Sequence, residues 1–440
     1  MQNEEPTLAR RLGPFDATMI VMGGIIGAGI FVNPSVVARQ VHTPGLVLGA
    51  WAIGGFIALI GAFVYAELAA LRPKVGGQYA YLRDAYGPVV AFLYGWTLLL
   101  VVQTGGMAGA AIVFGRYFRE LTGSGVPEQV VAAVTLGVLT IVNCLGVRAG
   151  SNVQNFLMIT KLAAIALLVA VGLFVAGPAA STAAAPGTAS GGMVGLATAM
   201  VPVLFAYGGW QTASFVAGEM RDPKRDLPRG LLIGVIGVIV VYVTVTWVCI
   251  RVLGVTDLAA TSTPASEIMR RSLGDRGARI IALGIALSTV GFLSQSILTA
   301  PRVYYAMARD GVFFKAVGTL DPRSRAPVVA IVLQGVWAAL IAMTGKYDQI
   351  LNYVVSIDVL FFGLTGAALI VLRRREGART DGARTPLHPA STVVFVLACW
   401  AISATTVIQY PRNAGIGVAI LFVGILVYQF WNKRAAPQTA

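Results

Sequence analysis

The sequence predicts an all-α polytopic membrane protein with about twelve transmembrane helices. Of the 440 residues, 57% are hydrophobic and only 12% are charged, which is about half the charged share of a soluble domain. Several apolar stretches exceed the roughly 20 residues that cross the hydrocarbon core of a bilayer. No segment resembling a soluble domain interrupts them, so the lipid bilayer is the expected environment of this chain.

Comparing the apolar runs with the polar segments between them predicts the individual spans. They lie near 16–38, 45–71, 88–118, 128–147, 153–176, 193–218, 229–254, 277–307, 326–345, 350–372, 391–409 and 413–432. The fifth and sixth spans are separated by an uncharged linker of small residues.

The net charge of +14 lies mostly in short segments between the spans. This placement argues against a nucleic-acid partner, which would need a basic stripe along one element. If residues 1–15 and 433–440 are cytoplasmic tails, the cytoplasmic segments hold more than twice as many Lys and Arg residues as the external loops, as the positive-inside rule requires. We therefore expect a multi-pass protein of the cell (inner) membrane with both termini cytoplasmic. The external loop before the eighth span is rich in charge and is expected to be structured.

Two spans look defective as helices. The first contains MGGIIGAGIF (22–31), and the sixth contains Pro202 followed by FAYGGW (205–210). Glycine costs about 1 kcal/mol relative to alanine inside a helix, and proline removes a backbone donor. We expect breaks around Ile25–Gly29 and Phe205–Gly209. The alternative for the first span is close helix packing, because Gly23 and Gly27 have the small-xxx-small spacing.

The two defects occupy corresponding positions, each in the first span of a set of five. Paired broken helices indicate a transporter site at the interface of an inverted repeat. The predicted repeats are 16–176 and 193–372, and helices 11 and 12 occupy 391–432.

A broken helix frees backbone groups that can bind a charged solute. In the first span the freed amides favour an anion such as a carboxylate; they belong to Gly27, Ala28 and Gly29. The freed acceptors are the carbonyl groups of Ile25 in the first span and of Phe205, Ala206 and Gly208 in the sixth. Donors and acceptors together suit the zwitterionic backbone of an α-amino acid.

Several motifs resemble the amino acid–polyamine–organocation superfamily, and most closely its L-type amino-acid transporter family with the LeuT fold. They are GGIIGAGIF (23–31), YAEL (65–68), the segment 205–230 and PRVYYAMARDG (301–311). The resemblance implies a secondary transporter that works by alternating access. It also implies that the glycine turn of the first span takes the substrate carboxylate, that the carbonyls of Ile25 and Phe205 take the amine, and that the Phe205 ring gates the site.

Eukaryotic members of that family carry an external cysteine between spans 3 and 4 for a bond to a heavy subunit. The matching loop here, 115–129, has no cysteine. We therefore expect no disulfide-linked heavy subunit.

Ionisable residues within the spans are expensive and usually functional. The resemblance implies that Lys161, in span 5, stands where sodium-coupled relatives hold a sodium ion, with Ser294 and Ser296 of span 8 offering oxygens near it. Lys161 could also release a proton during transport, or its stem could snorkel to the interface. Asp358, in span 10, is either near the substrate or satisfied by local backbone. Glu67 is expected to pair at the interface with Arg72 or Lys74.

Gly105, Gly106 and Met107, in span 3, are expected to line the side-chain pocket if this span faces the site, the alternative being close helix packing. The leading hypothesis is a sodium-independent carrier of neutral L-amino acids, either an exchanger or proton-coupled. A carrier of cationic amino acids or polyamines is the alternative, and it would depend on Asp358. A membrane enzyme would need clustered catalytic groups, and the sequence offers none, so no catalytic residue, metal or cofactor is expected.

Overall fold

The computed structural model describes residues 12–73, 76–144, 151–179, 192–322, 326–377 and 382–435. These residues are nearly all helical, and no β-strand occurs among them. Helical structure suits a chain that spans a bilayer, because a helix forms its backbone hydrogen bonds internally where no water is present.

The first half contains eight helices in the described ranges. They are α1 (Pro14–Ile25), α2 (Gly29–Val41), α3 (Pro44–Leu71), α4 (Gln78–Tyr86), α5 (Pro88–Thr97), α6 (Gln103–Thr122), α7 (Glu128–Cys144) and α8 (Ser151–Phe174). A π-helical turn, Leu98–Val102, joins α5 to α6. The second half contains α9 (Met193–Tyr207), α10 (Thr212–Phe215), α11 (Pro223–Ala260), α12 (Pro264–Thr299), α13 (Pro301–Arg309), α14 (Val328–Thr344), α15 (Tyr347–Glu376), α16 (Ala390–Gln409) and α17 (Pro411–Ala435).

Each predicted span coincides with a helix or with a broken pair of helices. Within the described ranges, seven helical stretches are long and apolar enough to cross a membrane, and the bent pair α1–α2 makes an eighth. The shorter apolar helices α7 and α14 and the segment Gly415–Trp431 of α17 match three further predicted spans, and α9 with α10 matches the sixth. Most of the predicted linker, 180–191, lies outside the described residues.

The charged loop before the eighth span is structured, as predicted. It forms the first part of α12, which is separated from the span by Gly274 at φ +67°.

Both predicted breaks are present. The first span is interrupted at 26–28 and bends by 41°. The sixth is interrupted at 208–211, slightly later than expected. Phe205 and Ala206 stay in the last turn of α9 because the Gly208 amide still donates to the Leu204 carbonyl at 2.8 Å.

The end of the bundle where α1 begins, here called the N-terminal end, is tied together by polar contacts. The Leu12 amide donates to the Glu219 carbonyl at 3.1 Å. Arg373 holds both Glu67 carboxylate oxygens, at 2.5 and 2.6 Å. The expectation for Glu67 was wrong in its partner, because α15 brings Arg373 to a carboxylate that is only 1% exposed, while Arg72 pairs with Asp84. Lys74 lies outside the described residues.

Candidate substrate-binding site

A cavity of about 80 Å³ lies between the two breaks. It is lined by both interrupted segments and by α6, α12 and α15. Among its lining residues are Ile25, Gly27, Ala28, Gly29, Phe205, Ala206, Gly208, Ser296 and Asp358. The structure therefore brings together most of the residues that the sequence singled out.

The two breaks touch each other at Gly24 and Gly209. Gly209 has φ +113°, a conformation that L side chains rarely adopt. A Cβ atom there would lie 2.1 Å from the Gly24 carbonyl oxygen. Glycine is thus required at this position both by the turn and by the close approach of the two chains.

The polar backbone groups of the first break are partly engaged with one another. The Gly27 amide donates to the Ile25 carbonyl at 2.8 Å. The Tyr242 hydroxyl, from α11, lies 2.9 Å from the same carbonyl oxygen and 3.1 Å from that of Ala206. The expectation that Ile25 and Ala206 present unoccupied acceptors is therefore not met, because Tyr242 and Gly27 approach them. The first amides of α2 have no helical acceptor, and Ala28 and Gly29 line the cavity.

Lys161 lies beside the first break. Its side chain is 2% exposed, and its ammonium group donates to the carbonyl of Ile26 and, at 3.5 Å, to that of Gly23. These carbonyls end the half-helix α1, where the helix dipole favours a cation. The observed position differs from that of a lysine whose stem snorkels to the interface.

Phe205 lies on the side of the cavity away from the N-terminal end. Its ring meets that of Tyr347 edge to face, with 6.2 Å between centroids. The Tyr347 hydroxyl donates to Asn33 Oδ1 at 2.9 Å, and Asn33 Nδ2 donates to the Pro202 carbonyl at 2.7 Å. These contacts link α15, α2 and α9 on the side of the cavity away from the N-terminal end.

Asp358 contributes a carboxylate group to the wall of the cavity. Its Oδ1 atom is buried and has no hydrogen-bond partner among the described residues. The alternative of local backbone satisfaction is therefore not met for this oxygen. A carboxylate oxygen without a donor is costly unless a ligand or water supplies one.

The sequence comparisons agree with this geometry. The model of the amino acid permease family matches residues 12–430. The chain belongs to this family. It is 28% identical to the serine/threonine exchanger SteT of Bacillus subtilis, over 99% of this chain and 100% of that protein. It is 32% identical to the large neutral amino acids transporter small subunit 2 of Homo sapiens, over 97% of this chain and 82% of that protein. It is also 32% identical to the b(0,+)-type amino acid transporter 1 of Oryctolagus cuniculus, over 85% and 78%.

Some of the predicted residues of this permease depart from the expected arrangement. Gly105 faces α15 rather than the cavity, and a Cβ atom there would lie 2.4 Å from the Val354 side chain. Of the three residues expected here, Gly106 lines the cavity, and Gly105 and Met107 are not among its lining residues. Ser294 is not among the cavity-lining residues, and within the described ranges neither Ser294 nor Ser296 is hydrogen-bonded to Lys161.

Sequence reasoning missed two aromatic residues of the site, Tyr242 and Tyr347. Both are buried, and each makes a hydrogen bond next to a break. A hydroxyl within an apolar run is the signal that could have found them, because a buried tyrosine hydroxyl usually has a partner.

Proposed function

We propose that this permease carries small neutral L-amino acids across the cell membrane by alternating access, as a sodium-independent exchanger. The observation that carries the proposal is one cavity, lined by both broken helices, whose lining residues include Ala28 and Gly29 at the start of α2 and Ile25 and Phe205 at the ends of α1 and α9. Such a cavity neutralises both charges of a zwitterion without a buried arginine.

In this proposal the substrate carboxylate rests on the amides of Ala28 and Gly29 at the start of α2. The ammonium group takes the carbonyls of Ile25 and Phe205, with Asp358 nearby on α15. The substrate ammonium group competes for the Ile25 carbonyl with the Gly27 amide and the Tyr242 hydroxyl. Substrate binding therefore exchanges contacts between the breaks for contacts with the solute, which is how a ligand shifts a conformational equilibrium.

The dimensions of the cavity favour a small substrate. Its volume of about 80 Å³ is well below the roughly 300–1,000 Å³ of drug-sized pockets. Alanine, serine and threonine suit it better than leucine or phenylalanine. A serine/threonine exchanger is among the relatives that match over the full length of this chain.

The charge distribution supports a cytoplasmic N-terminal end in the cell (inner) membrane, with both termini inside. Segments 16–176 and 193–372 then form two repeats of opposite orientation, each beginning with a broken helix. The loop 115–129 contains no cysteine, which supports a carrier that works without a disulfide-linked heavy subunit.

Reconstitution into liposomes tests the proposal. Uptake of labelled L-serine should be accelerated by unlabelled L-serine inside and should persist when choline replaces sodium. Liposomes loaded with L-glutamate are the control for unspecific acceleration. The unpaired Asp358 oxygen favours one further candidate, a carrier of cationic amino acids or polyamines. Transport of arginine or putrescine in preference to serine would support that candidate and contradict our proposal.

A further inference from the structure

A second cavity, of about 520 Å³, lies at the end of the bundle opposite to the N-terminal end. It is formed by the last turns of α6, the start of α7 and the start of α15. Five charged side chains line it: Arg116, Arg119, Glu128, Lys346 and Asp348. Three cations thus face two carboxylates, and the cavity carries an excess of positive charge.

The guanidinium groups of this cavity keep free donors. Arg116 and Arg119 lie three residues apart on one face of α6, so their side chains are neighbours. Their closest atoms to the Glu128 carboxylate are 3.6 and 3.8 Å away, longer than the roughly 2.7–2.9 Å of a charge-assisted hydrogen bond. Within the described ranges each donates one hydrogen bond, to a backbone carbonyl, at 3.3 and 3.4 Å. A guanidinium has five N–H groups, so both can take another carboxylate.

Tyr347 forms the wall between this cavity and the central one, since it lines both. It is 5% exposed, and it holds Phe205 by its ring and Asn33 by its hydroxyl. Tyr347 is thus a lining residue that the two cavities share. The cationic cavity therefore lies directly before the central site on the outer side.

We infer that this outer cavity is a docking site for the α-carboxylate of the amino-acid substrate before it passes Tyr347. The inference rests on the proposed function. Arg116 and Arg119 bind the carboxylate, and Asp348, at the start of α15, faces the ammonium group. The excess positive charge of the cavity draws the carboxylate of the zwitterion first. Because the site lies on the outer side only, it should affect substrate binding from outside and leave substrate binding from the cytoplasm unchanged.

The test compares the KM for L-serine at the two faces of the membrane. Outer values come from intact cells and inner values from inside-out vesicles. In the variant Arg116→Gln/Arg119→Gln we expect the outer KM to rise about fivefold, with the inner KM unchanged. The outer KM of the wild type should rise with ionic strength, because salt screens exposed charges, and this dependence should be weaker in the variant. Arg276→Gln, an exposed arginine outside the cavity, is the matched control.

An unchanged outer KM in an active double variant would overturn the inference and leave the proposed function standing. Equal changes at both faces would assign the arginines to the stability of the α6–α7 turn and would also overturn it. A wild type that transports no amino acid would overturn the proposed function, and this inference with it.

Discussion

The Tyr242 hydroxyl lies 2.9 Å from the carbonyl oxygen of Ile25, across a sequence separation of 217 residues. The same hydroxyl is 3.1 Å from the Ala206 carbonyl. One hydroxyl has one proton to donate, so the two broken helices share a single donor. Tyr242 thereby connects the end of α1 with the last turn of α9.

Tyr242→Phe removes this donor and keeps the ring, which packs edge to face on Trp51 with 5.4 Å between centroids. In our proposal the substrate ammonium group replaces this hydroxyl at the Ile25 carbonyl. A buried hydrogen bond contributes about 1 kcal/mol net, so loss of the competing donor should lower the KM for L-serine roughly fivefold with normal expression. Uptake kinetics per folded transporter are the measurement, and Tyr305→Phe, at a partly exposed position on α13, is the control. Wild-type kinetics in Tyr242→Phe would show that the bridge has no role in transport.

Gly29→Val should abolish uptake while the protein still reaches the membrane. A Cβ atom at Gly29 would lie 3.2 Å from both Cα and Cβ of Ala206, and a branched side chain would enter the space that we assign to the carboxylate. The readout is labelled L-serine uptake normalised to the monodisperse peak of the purified protein. Gly137→Val is the control, since its Cβ meets nothing within 4 Å. Normal uptake by folded Gly29→Val would place the carboxylate elsewhere.

The spans and the breaks could be predicted because hydropathy and the cost of glycine and proline are local properties of the chain. The side of each helix that faces the cavity could not be predicted from the sequence. Three successive residues, Gly105, Gly106 and Met107, were expected to line the pocket, but successive helical residues point about 100° apart. Of the three, Gly106 lines the cavity, because α6 is rotated so that Gly105 contacts Val354 on α15.

Contacts between segments that are far apart in the sequence could not be predicted either. Lys161 was singled out as a lone ammonium in an apolar run, yet its acceptors on the first break follow from the packing of α8 against α1. The partner of Glu67 was misjudged for the same reason, because Arg373 is 306 residues away. Sequence neighbours such as Arg72 are a poor guide to pairing once a bundle has formed.

Phe205→Ala should lower the rate of exchange without a large loss of folded protein. Phe205 meets Tyr347 edge to face on the side of the cavity away from the N-terminal end. If this contact closes the cavity, the alanine variant would no longer hold the substrate occluded. Initial rates of counterflow measure this effect. Phe56→Ala, at a side chain that is 60% exposed, is the matched control. Unchanged counterflow in Phe205→Ala would assign the ring to packing alone.

Asp358→Asn should raise the KM for L-serine about tenfold or more. The substitution keeps the shape of the side chain but removes the negative charge of the cavity wall, and a lost charge pair of about 1.4 kcal/mol corresponds to that factor. Saturation curves in liposomes give the KM, and Asp275→Asn, at a carboxylate that is 84% exposed, is the control. An Asp358→Asn carrier with unaltered KM would mean that the ammonium group binds without this carboxylate.

We propose that Lys161 makes transport independent of sodium. Its buried ammonium group binds the carbonyls of Ile26 and Gly23 at the end of α1, where a cation is favoured by the helix dipole and by acceptors that have no helical donor. Because its amine group is covalently attached, no ion from solution has to bind at these carbonyls. Wild-type uptake of L-serine should therefore be the same, within about twofold, in sodium and in choline.

Lys161→Ala should lose most uptake in both media, since the alanine variant leaves these carbonyls without a donor in an apolar environment. The control is Lys315→Ala, an exposed lysine far along the chain from either break, which should transport normally. Arginine at position 161 should not restore activity, because a planar guanidinium is larger than an ammonium group and binds in a different geometry. Strict dependence of wild-type uptake on sodium would contradict this role, because a carrier with its own fixed cation has no need for a second one at the same carbonyls.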